Sequence, residues 1–436
     1  MLDVCTDSRQ AKPGDLFFAV RGERFDGHDF LSEVSARNVA AVVVEHHKLP
    51  KILPACAVLA VDDVRLALGR LAAAYRREFT LPVIAVGGSN GKTTTKELLA
   101  AVLRQKFATL WSEASFNNDI GVPMTLLRLQ KAHQTAVLEV GTNHPGEIAP
   151  LVRMMAPGIG VITNIGREHL EFFGDLAGVA REEGWLAELL PVDGTLILNG
   201  DGEWAEKVAA RAGARVVRAG LGEKNDWRAT KLRLDKNGST FQVSGPNPGQ
   251  NGEYRLNLLG RHQVSNAMLA IAAGAELGLS YAQITSGLAA CPPPKMRMQF
   301  WEANGVRVLD DAYNANTDSM IAALETLCDL PFQGRRVAVL GDMGEQGAHS
   351  ASAHAEVGRH AARLGIGQLF AVGPLAAGTA QAARAAGLKR VIEFADVESA
   401  VTAVRKFLKS GDVVLLKASR TARLERIAES LKTEKN

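Results

Sequence analysis

The stretch Gly87 to Thr95, GGSNGKTTT, follows the apolar run LPVIAV and precedes the helix-like KELLAAVLRQKF. A strand that runs into a glycine-rich turn and then a helix aims several backbone N–H groups and a helix N-terminus at one point, which suits a phosphate chain. Gly88, Ser89, Asn90, Gly91, Lys92, Thr93 and Thr94 are therefore the expected nucleotide contacts. Lys92 adds a cation toward the terminal phosphates, and the hydroxyl of Thr93 or Thr94 can ligate Mg²⁺. The common phosphate loop needs a glycine five positions before Gly91, where Val86 stands, so this loop is one residue shorter.

A magnesium ion needs further hard oxygen ligands. Glu139 ends the strand-like TAVLEV, at the sheet edge where α/β proteins place ligands. A buried glutamate without a cation is costly, so a metal role is preferred there over a salt bridge. His169, in VITNIGREHLEFFG, lies just past another strand end and is read as a metal or substrate ligand.

These residues need a sheet to position them. From residue 81 onward, β-branched runs bounded by Gly, Asn or Asp alternate with helix-period segments, the pattern of parallel βαβ crossovers. Between Trp227 and Leu259 the pattern alternates around Asn237-Gly238, which predicts an antiparallel extension. The Pro triplet of CPPPKM reads as a semi-rigid hinge. The expected fold is α/β in three domains: a small α/β unit at 1–80, a central nucleotide-binding unit with a mainly parallel sheet at 81–295, and a Rossmann-like unit at 296–436.

Composition excludes other classes. The 50 Lys plus Arg against 47 Asp plus Glu form no dense basic block, so no nucleic-acid partner is expected. Apolar runs such as VAAVVV fall far short of the roughly 20 residues a membrane span needs. The start MLDVCTDSRQ has no apolar signal region, so a cytoplasmic location and no membrane insertion are expected. Cys5, Cys56, Cys291 and Cys328 are widely spaced and read as ordinary reduced thiols.

Several further stretches resemble the Mur ligase family of peptidoglycan synthesis, which shares the shortened loop. In order they are TDSRQAKPGDLFFAVRGERFDGHDF, GGSNGKTTTKE, FNNDIGVPMTLL, LEVGTNHPGEI, TNIGREHLEFFG, LLGRHQVSNAMLA, DDAYNANTDSM, GDMGEQG and LLKASR. Within the family, YNAN and NNDIGVPMTLL resemble the type that adds D-alanyl-D-alanine to UDP-N-acetylmuramoyl-tripeptide. The resemblance implies that the first domain holds the UDP-sugar, the second ATP, and the third the incoming dipeptide. It also implies an ATP-dependent reaction through an acyl phosphate, with two Mg²⁺ ions; a monomer is expected.

By the same resemblance, Lys92, Thr94, Glu139 and His169 match phosphate and metal ligands. Asn266 matches an adenine contact, Arg297 a nucleotide contact, and Asp311 an acidic residue reaching ribose or base. Taken without the resemblance, Arg297 and Asp311 equally suit an interdomain salt bridge. Asp7, Ser8, Arg9 and the loop RGERFDGHDF match the UDP-binding region, with Arg9 reaching pyrophosphate. Asn117, Asn118, Thr142, Asn143 and His144 match sugar- and peptide-side contacts, although NND could simply shape a loop. Asn314, Asn316 and Asp342 are expected to border the dipeptide pocket.

The sequence also departs from the family pattern. Gln263 stands where Asn is usual beside the adenine. Glu183 falls where the family carries a lysine carbamylated by CO₂, whose carboxylate supports the metal pair. A glutamate offers the same two anionic oxygens on a shorter stem, so Glu183 is read as a direct substitute; the alternative is a solvated Glu on the charged turn REE.

Overall fold

The computed structural model describes residues 3–22, 24–51 and 54–432, so Glu23 of the loop RGERFDGHDF lies outside the described residues, as do both chain ends. Among the described residues three sheets follow one another along the chain.

The first has four parallel strands, in the order Val4–Cys5, Leu16–Phe18, Ala41–Glu45 and Ala57–Val61. Alternation sorts its side chains: Phe17, Val42 and Val44 pack against the helix Leu31–Ala36, while Phe18 and Val43 pack against Val64–Arg76. Asp63 caps that second helix by accepting from Leu66 N at 2.8 Å. The helix also packs on Gly121–Leu126 and Ile148–Met155 of the next unit. A Cβ at Gly69 would meet Met154 Cε at 2.9 Å, so a small residue permits this approach.

The second sheet has nine strands. Val83–Gly87 lies third from one edge, between Thr135–Glu139 and Ile159–Ile162, all three parallel. Every residue of Val83–Gly87 and Thr135–Glu139 is buried, as a parallel sheet covered on both faces requires. The helices Lys92–Leu103 and Arg261–Glu276 cover one face, and Ile148–Met155 with its neighbours covers the other. Beyond Trp227–Asp235 the pairing turns antiparallel through Gly238–Ser244 and Gly252–Leu256; the predicted hairpin forms, its two turn residues being Lys236 and Asn237, while Gly238 already pairs with Asp235.

The third sheet has six strands in the order Gln299–Ala303, Val306–Asp310, Val413–Lys417, Arg336–Gly341, Gln368–Val372 and Val391–Phe394. The first is antiparallel and the others are parallel. Between the second and third sheets the chain runs through Pro292–Pro294. Just after them Met296 (φ 57°) and Met298 (φ 51°) take left-handed backbone, held there with buried side chains. Among the described residues no helix is long and apolar enough to cross a membrane.

Candidate active site

The phosphate loop is shaped by its glycines and its neighbours. Gly88 (φ 108°) and Gly91 (φ 85°) hold backbone that L side chains rarely adopt. A Cβ at Gly88 would sit 2.4 Å from Thr163 Oγ1, and one at Gly91 2.4 Å from Asn266 Oδ1. Asn164, at the end of the adjacent strand, ties the loop down: Ser89 N donates to its carbonyl at 2.9 Å, Asn90 N to its Oδ1 at 3.1 Å, and its Nδ2 donates to Asn90 O at 2.8 Å. The sequence reading did not single out this clamp.

Lys92 opens the helix Lys92–Leu103, and its Nζ donates to Gly88 O, to Ser89 O at 3.2 Å and to Glu168 Oε2 at 3.2 Å. Burial pulls the ammonium pKa down, but Glu168, Glu183 and Glu139 together raise it above its ordinary value. Glu183 lies beneath the loop, fully buried, with Oε2 accepting from Gly88 N at 2.6 Å. The solvated reading of Glu183 is therefore wrong: its helix, Leu176–Glu183, turns this side chain under the loop. Desolvation, only partly offset by Lys92, pushes its carboxyl up to about 8.

Glu139 is also buried. Asn117 Nδ2 donates to its Oε1 at 2.9 Å, and Lys96 Nζ lies 3.8 Å from its Oε2. Lys96 is fully buried, one helical turn beyond Lys92, and donates to Ser112 O at 2.8 Å and to Ala114 O. Spacing i, i+4 after Lys92 is the signal that could have found it. His169, itself left-handed at φ 47°, has Nε2 3.9 Å from Glu168 Oε2 and Nδ1 2.6 Å from Glu345 Oε2, although Nδ1 makes no well-aligned hydrogen bond.

These groups have the chemistry of a magnesium site. Glu139 Oε2, Glu168 Oε1 and Glu183 Oε1 are buried and lack a hydrogen-bond partner, although Lys96 Nζ faces the first at 3.8 Å, and buried hard oxygens of this kind suit a hard cation. Among the described residues, however, no three His, Cys, Asp or Glu are gathered closely enough to hold an ion alone, so an ion held by the expected ligands Thr94, Glu139 and His169 would need phosphate oxygens as well.

A cleft of about 850 Å³ runs from this loop to the third unit. Its central-unit wall includes Ser89 to Thr94, Asn117, Asn118, Thr142, Asn143, His144 and Asn266. Asn266 Nδ2 donates to Gln263 Oε1 at 3.0 Å, so the unusual Gln263 orients the expected adenine contact. Glu147 organises the 142–144 turn, its Oε2 accepting from Thr142 Oγ1, Asn143 N and His144 N at 3.0, 2.8 and 3.1 Å. Asn118 Oδ1 accepts from Gly121 N at 2.9 Å, so it does shape its loop.

The opposite wall includes Arg297, Asp311, Asn314 and Asn316. Arg297 and Asp311 are not each other's partners: the Arg297 guanidinium lies 3.9 Å over the Tyr313 ring, while Asp311 Oδ2 accepts from buried Lys417 Nζ at 2.6 Å. Lys417, in the LLKASR stretch, also donates to Asn314 O at 3.0 Å. Asn316 caps the helix Thr317–Asp329 and donates through Nδ2 to Asn90 Oδ1 at 2.9 Å, across the cleft.

One expectation needs correction, and one group of residues lies apart from this cleft. Asp342 does not line the cleft; its Oδ1 accepts from Ala376 N at 2.7 Å, at the start of the helix Ala376–Ala385. Asp7, Ser8 and Arg9 lie on a short turn of the first unit outside this cleft, where Arg9 Nε and Nη2 donate to Asp7 at 2.9 and 2.7 Å.

A shortened phosphate loop on a central parallel sheet, facing a third α/β unit across a carboxylate-lined cleft, defines a nucleotide-dependent enzyme of three domains. Three family descriptions match in order: "Mur ligase family, catalytic domain" over residues 3–76, "Mur ligase middle domain" over 86–274, and "Mur ligase, glutamate ligase domain" over 296–420. The chain belongs to the Mur ligase family. It is 38% identical to the UDP-N-acetylmuramoyl-tripeptide–D-alanyl-D-alanine ligase of Escherichia coli, covering 98% of this chain and 93% of that one. It is 35% identical to the protein of the same name in Bacillus subtilis, covering 98% and 92%. Among solved structures, MurF of Acinetobacter baumannii superposes with a TM-score of 0.90 at 34% identity, covering 99% of this chain and 93% of that one. MurF of Thermotoga maritima in complex with ADP gives 0.87 at 26%, covering 99% and 97%. Folylpolyglutamate synthase of Mycobacterium tuberculosis, at 18% identity and 0.66, covering 85% and 95%, shares the fold alone.

Proposed function

We propose that this protein joins D-alanyl-D-alanine to UDP-N-acetylmuramoyl-tripeptide at the expense of ATP. The observation that carries the reading is Lys92 in its glycine loop, ringed by three carboxylates and facing the third domain across one cleft. Residues 1–80 are assigned to the UDP-sugar, 81–295 to ATP, and 296–436 to the dipeptide.

A carboxylate is a poor acyl donor, so the peptide carboxylate attacks the γ-phosphorus of ATP, the bond to ADP breaks, and an acyl phosphate forms. The dipeptide amine then attacks the acyl carbon, and phosphate leaves as the amide forms. Lys92 and the loop amides hold the transferring phosphoryl group and stabilise its charge. Thr94, Glu139, His169 and Glu183 would hold or support Mg²⁺, which when bound neutralises phosphate charge. Thr142 to His144 line the acceptor side and Asn314 and Asn316 the dipeptide side, so contact between the walls sets the distance between the reacting groups.

The test is ADP release by the purified protein with each substrate omitted in turn. Release that depends on both UDP-tripeptide and D-alanyl-D-alanine is expected; turnover that ignores either one, or an undiminished rate in Lys92→Ala, refutes the assignment.

A further inference from the structure

No step or ligand role above is assigned to Glu168, yet it is the carboxylate that contacts Lys92. It is buried, its Oε2 lies 3.2 Å from Lys92 Nζ and 3.9 Å from His169 Nε2, and its Oε1 has no hydrogen-bond partner. The remaining contacts of Lys92 are carbonyl oxygens of its own loop, Gly88 O and Ser89 O. The ammonium meant for phosphate is thus folded back and neutralised by a neighbouring side chain.

We infer that Glu168 couples nucleotide binding to a divalent cation: its carboxylate holds Lys92 in the nucleotide-free protein, and a polyphosphate takes Lys92 over only when a cation neutralises the carboxylate left behind. This rests on reading the loop as an ATP site. A triphosphate entering beside an unpaired buried carboxylate meets like charge in a medium that screens poorly, and a divalent ion shared by the two removes the repulsion. Each of the three carboxylates around Lys92 keeps one oxygen without a hydrogen bond, but the other oxygen of Glu183 accepts from Gly88 N at 2.6 Å and that of Glu139 from Asn117 at 2.9 Å, whereas that of Glu168 meets Lys92 itself. Linkage makes the coupling reciprocal, so nucleotide must tighten metal binding by the factor by which metal tightens nucleotide.

The experiment is calorimetric titration of ATP into wild type, Glu168→Gln, Glu168→Ala and Glu139→Gln, once in EDTA and once in excess Mg²⁺. Glu168→Gln is expected to bind ATP in EDTA about tenfold more tightly than wild type, and to lose a similar factor from the enhancement that Mg²⁺ gives. Glu168→Ala should behave alike, which separates charge from shape. Glu139→Gln should weaken binding in Mg²⁺ with no gain in EDTA. The gain should vanish when Glu168→Gln is combined with Lys92→Met, because the pair being broken is then absent. Unchanged affinity in EDTA for both Glu168 variants, an equal gain in Glu139→Gln, or a gain that survives Lys92→Met would overturn the inference. Wild type that binds no ATP in either condition would instead overturn the ATP site itself.

Discussion

Gly88 N donates to Glu183 Oε2 at 2.6 Å, joining the phosphate loop to a carboxylate 95 residues further along the chain. The glutamate is fully buried with one oxygen unpaired, as the proposed metal-supporting carboxylate would be. A glutamate needs no CO₂ to become anionic. Wild-type turnover is therefore expected to be indifferent to bicarbonate, whereas Glu183→Lys should be nearly inactive in bicarbonate-depleted buffer and partly restored by adding it. Steady-state rates across bicarbonate levels decide, and a bicarbonate-sensitive wild type refutes the substitution.

The same residue imposes a pH dependence on the metal-free protein. Its carboxyl sits at about 8 in the folded state against an ordinary 4.5, so the native state binds the proton more tightly than the unfolded chain. Glu183 then costs nothing below the unfolded value, destabilises increasingly as pH rises, and adds no further cost above the folded value. In EDTA, the melting temperature of Glu183→Gln minus that of wild type should widen between pH 5 and 8 and then level off. A constant difference in differential scanning fluorimetry would contradict this.

Gly91 pairs a left-handed backbone with a contact that leaves no room for a side chain, Asn266 Oδ1 lying 2.4 Å from an added Cβ. Gly91→Ala should cost about 1–3 kcal/mol of strain and displace Asn266, lowering ATP affinity at least about tenfold. Isothermal titration reads the loss directly; affinity within a factor of two of wild type would show that the loop tolerates the change.

Lys96 is a buried cation whose ammonium meets Ser112 O, Ala114 O and Glu97 Oε1 and faces Glu139 at 3.8 Å. Removing it strands a buried carboxylate, so Lys96→Met should destabilise the protein by about 3 kcal/mol. Lys96→Arg should rescue little, because a planar fork does not fit a site built from carbonyls around a point charge. Urea unfolding of both variants, read for midpoint and slope, tests this.

Contact across the cleft is concentrated at Arg167. Its Nε donates to Asp318 Oδ1 at 2.8 Å, its Nη1 to Glu356 Oε2 at 2.7 Å, and its backbone N to Asp318 Oδ2 at 2.7 Å. Opening by movement of the third domain about the Pro292–Met298 segment must break these bonds, so they hold the closed arrangement together. An ATP analogue with both substrates is expected to compact wild type in small-angle scattering, and Arg167→Ala should lose most of that compaction together with kcat. Equal compaction in the two proteins would remove Arg167 from closure.

What was legible in the sequence is what local geometry dictates. A glycine turn between a buried strand and a helix must present amides and Lys92 at one point, whatever surrounds it, and alternation around Asn237-Gly238 must pair as a hairpin. Parallel strands also bring their C-terminal ends to one edge, so Glu139 and His169 could be placed near Lys92 from strand order alone. The partners of those residues could not be read this way, because each contact joins segments distant in the chain. Glu168 reaches Lys92 across 76 residues and Lys417 reaches Asp311 across 106, and only side-chain burial at the closed edge selects them over other charges in the same motifs. The same reason explains Asp342, which local sequence places beside the cleft but whose carboxylate the fold spends on the start of a neighbouring helix. Sequence decided which groups can hold a phosphate; tertiary structure decided which carboxylates share the lysine that does so.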